Sequence, residues 1–189
     1  MNITFGALPP KTRYISKRLI IGARQGLSGL QKLQNEESVS QIIDLRSSND
    51  LKKLNEKLCC KVLGLNYKNY PIELMNRKPL NTKIFESILE AIQNNNGKTF
   101  VHCNSGRHRS LFVAAMEAFR NGNIQNFEDF KKFLANRDFY KLRKKSRLGI
   151  KFNLTDEDIK IRTANLDFQK DKFWEYLSLQ QTNSSKLCK

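Results

Sequence analysis

The chain has 189 residues, 39% of them hydrophobic and 10% aromatic. That is enough apolar material for the core of one domain, and it excludes a wholly disordered chain. Lys and Arg total 34 against 18 Asp and Glu, a formal net charge of +16. So basic a chain gathers anions around it, which suits phosphoproteins, nucleic acid, acidic membrane surfaces or other phosphate-bearing partners without choosing among them.

In chain order, Arg18 to Gly22 reads as a short strand. Leu27 to Glu37 carries Leu27, Leu30 and Leu33 on a helical stripe. Gln41 to Leu45 is a compact buried strand, and Asp50 to Leu63 a helix ended by Gly64. Leu65 to Ile72 reads as a strand. Pro79 to Ile92 follows as a helix with Ile84, Phe85, Ile88, Leu89 and Ile92 on one face. After a turn at Asn94 to Gly97 come the strand Thr99 to Cys103 and the helix Arg107 to Arg120. Further helical pattern covers Asn126 to Asn136 and Asp156 to Leu177, and the polar residues after it are expected to fray. Strands separated by helices predict an α/β fold with a mostly parallel central sheet flanked by helices. The strongly basic run Lys141 to Arg147 marks a composition change. It suggests a catalytic domain over residues 1–150 and a C-terminal helical extension over 151–189.

The apolar runs are far too short to cross a bilayer. Met1 to Arg13 lacks an apolar core of signal-peptide length, so the expected location is cytoplasmic. Of the four cysteines, Cys59, Cys60, Cys103 and Cys188, none forms a CxxC pair that would suggest zinc. The spacing of His102, Cys103 and His108 matches no usual ligand set. A zinc site is not expected.

The informative segment is His102-Cys103-Asn104-Ser105-Gly106-Arg107-His108-Arg109-Ser110. A cysteine ends a buried strand, and a helix begins within the following loop. Consecutive amides at a helix N-terminus form a concave anion site, so residues 104 to 109 are the expected phosphate-binding loop. The same surroundings favour thiolate over thiol at Cys103 and make it a nucleophile at neutral pH. Arg109, taken as one turn into the helix, aims a planar fork at two phosphate oxygens, a geometry lysine lacks. Gly106 permits positive φ and close approach to a ligand. The Ser110 hydroxyl is placed to hydrogen-bond the sulfur and ease its departure. His102 is expected to order the loop rather than transfer protons.

HCNSGRHRS resembles the HCxxGxxR[ST] signature of the cysteine-dependent phosphatases, the protein tyrosine and dual-specificity superfamily. Ile42-Ile43-Asp44-Leu45-Arg46 is similar to the strand ending in DLR of the dual-specificity-like branch, and the resemblance spans Ile15 to Phe139. It implies that the loop is a phosphatase-type P-loop between a central strand and a helix. It also implies a two-step reaction, needing no metal or cofactor, in which Cys103 attacks phosphorus, Arg109 and the loop amides hold the equatorial oxygens, and a general acid protonates the leaving oxygen. Relatives carry that acid as an aspartate about thirty residues before the cysteine. Here Tyr70 to Pro79 contains no aspartate, and Glu73 is the sole carboxylate of the stretch. Glu73 is therefore the candidate acid. The alternatives are His108, or no acid at all for a leaving group as good as the β-phosphate of an RNA 5′-triphosphate. Leu111, where relatives often have Gly or Ala, suggests altered packing behind the loop. Arg107 and His108 add basic character of the kind that accompanies phosphoinositides or other highly phosphorylated substrates in this superfamily.

Three functions follow in order: a phosphatase acting on phosphotyrosine or other phosphoprotein substrates, a phosphoinositide or RNA 5′-phosphate phosphatase, and a phosphate-binding pseudophosphatase adaptor. The intact Cys103, Arg109 and Ser110 argue against the third. Cys59 and Cys60 are core or surface cysteines, with a resolving thiol for Cys103 as the other reading.

Overall fold

The computed structural model describes residues 8–9, 11–47, 53–73, 81–136 and 155–187. The basic run Lys141 to Arg147 and the boundary at residue 150 lie outside them, as does Pro79, the expected start of the third helix. The elements are β1 (Thr12–Tyr14), β2 (Leu19–Ala23), α1 (Leu27–Glu37), β3 (Val39–Asp44), α2 (Lys53–Val62), β4 (Asn66–Asn69), α3 (Lys83–Gln93), β5 (Lys98–Cys103), α4 (Arg109–Arg120), α5 (Phe127–Ala135) and α6 (Asp156–Leu187).

The strands form one sheet in the order β1-β2-β5-β3-β4. β2, β5, β3 and β4 run parallel, and β1 joins the β2 edge antiparallel. β5 is the central strand, with Cys103 opposite Ala23 on one side and His102 opposite Asp44 on the other.

Alternation along the buried strands divides the core in two, because successive side chains point to opposite faces. Leu19, Ile21, Ile43, Leu45, Val101 and Cys103 belong to the cluster with α3, α4, α5 and α6. Ile20, Ile42 and Phe100 belong to a second cluster with Leu30 and Leu33 of α1 and Cys60 of α2. β5 therefore sends Cys103 to one face and its neighbour His102 to the other.

The long α6 is part of the first cluster. Its Phe173 ring lies 4.8 Å from Phe85 of α3 and 4.7 Å from Phe112 of α4, and Tyr176 donates to Glu86 at 2.9 Å. Its start is fixed by a reciprocal cap. The Asp158 amide donates to Thr155 Oγ1 at 3.1 Å, and the Thr155 amide donates to Asp158 Oδ2 at 2.9 Å.

Several boundaries differ from the sequence expectation. β1 was not expected, since three residues with exposed and half-buried side chains carry little pattern. β4 stops at Asn69, short of the expected Ile72, because Pro71 supplies no N–H to the ladder. The chain still follows β3, with the amides of Tyr70 and Ile72 donating to the carbonyls of Asp44 and Leu45 at 2.9 and 3.2 Å. α6 continues to Leu187 rather than ending at Leu177, since no Gly or Pro interrupts the polar tail. α2 is followed by Gly64 at φ 68, the left-handed position expected after a helix.

Candidate active site

The site forms where β5 hands the chain to α4. Cys103 is 2% exposed, and its Sγ accepts a hydrogen bond from the Gly106 amide at 3.2 Å. The Ser110 hydroxyl lies 3.6 Å from the same sulfur. Burial alone would push the thiol up. The charge of Arg109 and hydrogen bonds from the backbone and side chain of Ser110 and the backbone of Gly106 outweigh that, and bring it from 9.0 down to about 7. The sulfur is thus substantially ionised at neutral pH.

Arg109 is the first residue of α4, not one turn inside it, since His108 at φ −123 interrupts the helix before it. Its Nη1 donates to the carbonyls of Leu45 at 3.1 Å and Ile72 at 3.4 Å. The end of β3 and the segment after β4 therefore brace the guanidinium beside the cysteine. Glu73, the candidate acid, is exposed and follows Ile72, the residue whose carbonyl receives Arg109. Asn104 is exposed, while Ser105, Arg107 and His108 are half-buried; Ser105 pairs with Ala23 of β2. Leu111 is completely buried behind the loop among residues of α4.

Gly106 has φ 71, and a Cβ there would lie 2.5 Å from both the Ala23 nitrogen and the Gly22 carbonyl carbon. These are backbone atoms of β2, hydrogen-bonded between two neighbouring strands, and cannot yield. Gly106→Ala is expected to cost about 1–3 kcal/mol of stability from the conformation alone, with more from the clash. It should also reduce turnover by moving the amide that faces the sulfur. Thermal unfolding and a single-substrate assay check both; an unchanged Tm with unchanged kcat would contradict the geometry.

Behind the loop lies a buried charged cluster. Arg46 donates from its amide and Nε to Asp44 Oδ1 and from Nη2 to Asp44 Oδ2, each at 2.9 Å, and Nη2 also bonds Glu56 Oε2. Tyr67 donates to Asp44 Oδ2 at 2.7 Å, and Asn69 Nδ2 donates to the Asp44 and Arg46 carbonyls at 2.6 and 3.1 Å. His102 Nε2 lies 3.1 Å from Glu56 Oε1. Burial tends to raise the Asp44 carboxyl, but Arg46, His102 and Tyr67 together hold it below its ordinary value. Asp44, Glu56 and His102 bring possible metal-ligand atoms within 4.8 Å of one another. Both carboxylates already share the Arg46 guanidinium, so a cation is built into the cluster.

Sequence reasoning did not assign this cluster. The available signal was a carboxylate and an arginine two residues apart at the end of an otherwise apolar strand, a pattern that demands a buried partner. Cys60 lies in the cluster of the opposite sheet face from Cys103. Burial, and then the neighbouring Glu56, Cys59 and Asp44, push its thiol up to about 12. That placement and protonation favour a core cysteine over a resolving thiol.

No family model matches the chain, and no curated protein matches it. Solved structures do. PTPMT1 superposes with a TM-score of 0.60 at 16% identity, covering 91% of this chain and 99% of its own. The core catalytic domain of the PP-IP phosphatase SIW14 from S. cerevisiae does so with a TM-score of 0.57 at 12% identity, covering 93% and 96%. TpbA from P. aeruginosa gives 0.54 at 14% identity, covering 88% and 90%. The chain shares the mostly parallel sheet and flanking helices of these solved structures, and the likeness is one of fold.

Proposed function

We propose that the chain is a cysteine-dependent phosphatase, hydrolysing phosphate monoesters of phosphotyrosine or other phosphoprotein substrates. The observation that carries this is the Cys103 sulfur, lowered to about 7 and faced by the Gly106 amide, Ser110 and Arg109. A sulfur so placed attacks a phosphoryl group resting in the loop. The S–P bond forms as the P–O bond to the leaving group breaks, and the leaving oxygen takes a proton from Glu73. Water then attacks the cysteinyl-phosphate, passing its proton back to Glu73, and Cys103 departs as thiolate with Ser110 donating to it. Arg109 and the amides of residues 104 to 109 hold the equatorial oxygens through both steps.

A second reading, a phosphoinositide or RNA 5′-phosphate as substrate, draws support from the net charge of +16 and from Arg107 and His108 in the loop. SIW14, which shares the fold, is named a PP-IP phosphatase. Rates measured side by side on phosphotyrosyl peptide, phosphoseryl peptide, phosphoinositides and 5′-triphosphorylated RNA separate the two. The first reading expects the highest kcat/KM on a phosphopeptide; highest activity on an inositol phosphate or RNA end favours the second, and no activity on any ester overturns both.

For Glu73, the expected result is that Glu73→Gln lowers kcat by about 10²-fold on alkyl phosphates, whose leaving group needs a proton, with a smaller loss on an aryl phosphate. An unchanged kcat and pH profile on the alkyl substrate would remove Glu73 from the mechanism.

A further inference from the structure

The loop amides that face the sulfur stay aimed only if the peptide following Cys103 is anchored from behind, and that anchor lies on the opposite face of the sheet. The Cys103 carbonyl accepts from the Arg24 amide at 3.0 Å, and His102 Nδ1 lies 3.3 Å from the same oxygen. The His102 ring is completely buried and stacked on Phe100 with centroids 5.4 Å apart. Its other nitrogen, Nε2, meets Glu56 Oε1 of α2 at 3.1 Å, an ion contact set off the line of a good hydrogen bond. Both ring nitrogens therefore face acceptor oxygens: a peptide carbonyl, and a carboxylate whose other oxygen takes the Arg46 Nη2 donor. The ring satisfies both only with a proton on each nitrogen.

We propose that Glu56 is a positioning residue for the reactive loop, holding His102 as the imidazolium whose Nδ1–H fixes the Cys103 carbonyl and so keeps the loop amides turned toward the sulfur. This rests on the reading of Cys103 as the nucleophile. It places the control of that nucleophile on α2, the element that carries Glu56.

Among the described residues, the charged groups that act on His102 are Glu56 from α2 and Asp44 and Arg46 from the end of β3, with Tyr67 joined to the cluster through Asp44 and Cys60 through Glu56 and Asp44. Burial disfavours the charged ring and Arg46 opposes it, but Glu56 and then Asp44 prevail and raise it above its ordinary value. Tyr67 and Cys60 are both pushed up, so neither changes charge near neutrality. Asp44 is pushed the other way and stays ionised. His102 is thus the group whose charge depends on Glu56. The same cluster braces the segment whose Leu45 carbonyl receives Arg109, so both reactive residues lean on it.

The test is Glu56→Gln in the full chain, read by the pH dependence of Cys103 alkylation with iodoacetamide, located by mass spectrometry. The expected result is an alkylation midpoint raised by about one unit, equivalent to a tenfold loss of thiolate at low pH. kcat should fall with it while KM changes little. A folded Glu56→Gln protein with an unmoved midpoint overturns the proposal. Because charge loss in a buried cluster can prevent folding, a second measurement uses the wild type: nitrogen NMR of the His102 ring, expected to show both nitrogens protonated at pH 7. A neutral ring there overturns the proposal as well. Neither readout needs turnover, so a chain that hydrolysed no ester would refute the phosphatase reading and leave this test standing.

Discussion

Cys103→Ser is expected to lower phosphate-ester turnover by about 10⁴-fold or more while leaving inorganic phosphate bound within about tenfold of the wild-type Kd. The two effects separate because they come from different atoms. Attack on phosphorus needs an ionised sulfur, and a serine hydroxyl beside Arg109 stays protonated at every accessible pH. Binding of the tetrahedral anion needs the loop amides, the N-terminal end of α4 and Arg109, none of which the substitution removes. Steady-state kinetics on an aryl phosphate with phosphate titration checks both. Turnover at the wild-type rate would show that another group is the nucleophile.

Arg109→Ala carries the next largest effect, for two reasons that add. It removes the cation that lowers the thiol of Cys103, so an alkylation midpoint near 7 in the wild type should move up toward 9.0. The sign follows from the balance around the sulfur. Burial pushes the thiol up and Arg109 is the largest of the influences that oppose it, so removing Arg109 moves the thiol up. At neutral pH less of the sulfur is then thiolate. The substitution also removes the fork that holds two equatorial oxygens in the transition state, a loss on the order of 10²–10³ in kcat for one well-placed donor. Together kcat/KM should fall by more than about 10³-fold. Arg109→Lys should restore the midpoint better than the rate, since lysine replaces the charge but not the bidentate geometry or the paired contacts to Leu45 and Ile72. Equal rates for Arg109→Lys and the wild type would show that the fork does no more than supply charge.

Elements with strong periodicity were legible in the sequence. The Leu27, Leu30 and Leu33 stripe marked α1 from Leu27 to Glu37, and the apolar run before Cys103 marked the central strand. The loop was legible because its chemistry is local: a buried cysteine, a glycine at positive φ and an arginine at the helix start lie within a few residues. What stayed hidden depends on contacts between distant segments. The sequence showed Asp44, Arg46 and Glu56 as charges, but only the register that sets Asp44 beside His102, and the docking of α2 that delivers Glu56, turn them into one buried cluster. The start of α4 was misplaced for a similar reason. Gly106 sits at φ 71 against the backbone of β2, and His108 departs from helical angles just before Arg109, neither of which helix propensity reports.

The account depends on phosphate passing through the sulfur of Cys103. Rapid acid quenching during turnover of an aryl phosphate, followed by peptide mass spectrometry, is expected to find one phosphoryl group on the peptide containing Cys103, and none in Cys103→Ser. Turnover proceeding with no phosphate on that peptide at any quench time, or with phosphate on another residue, would contradict the account.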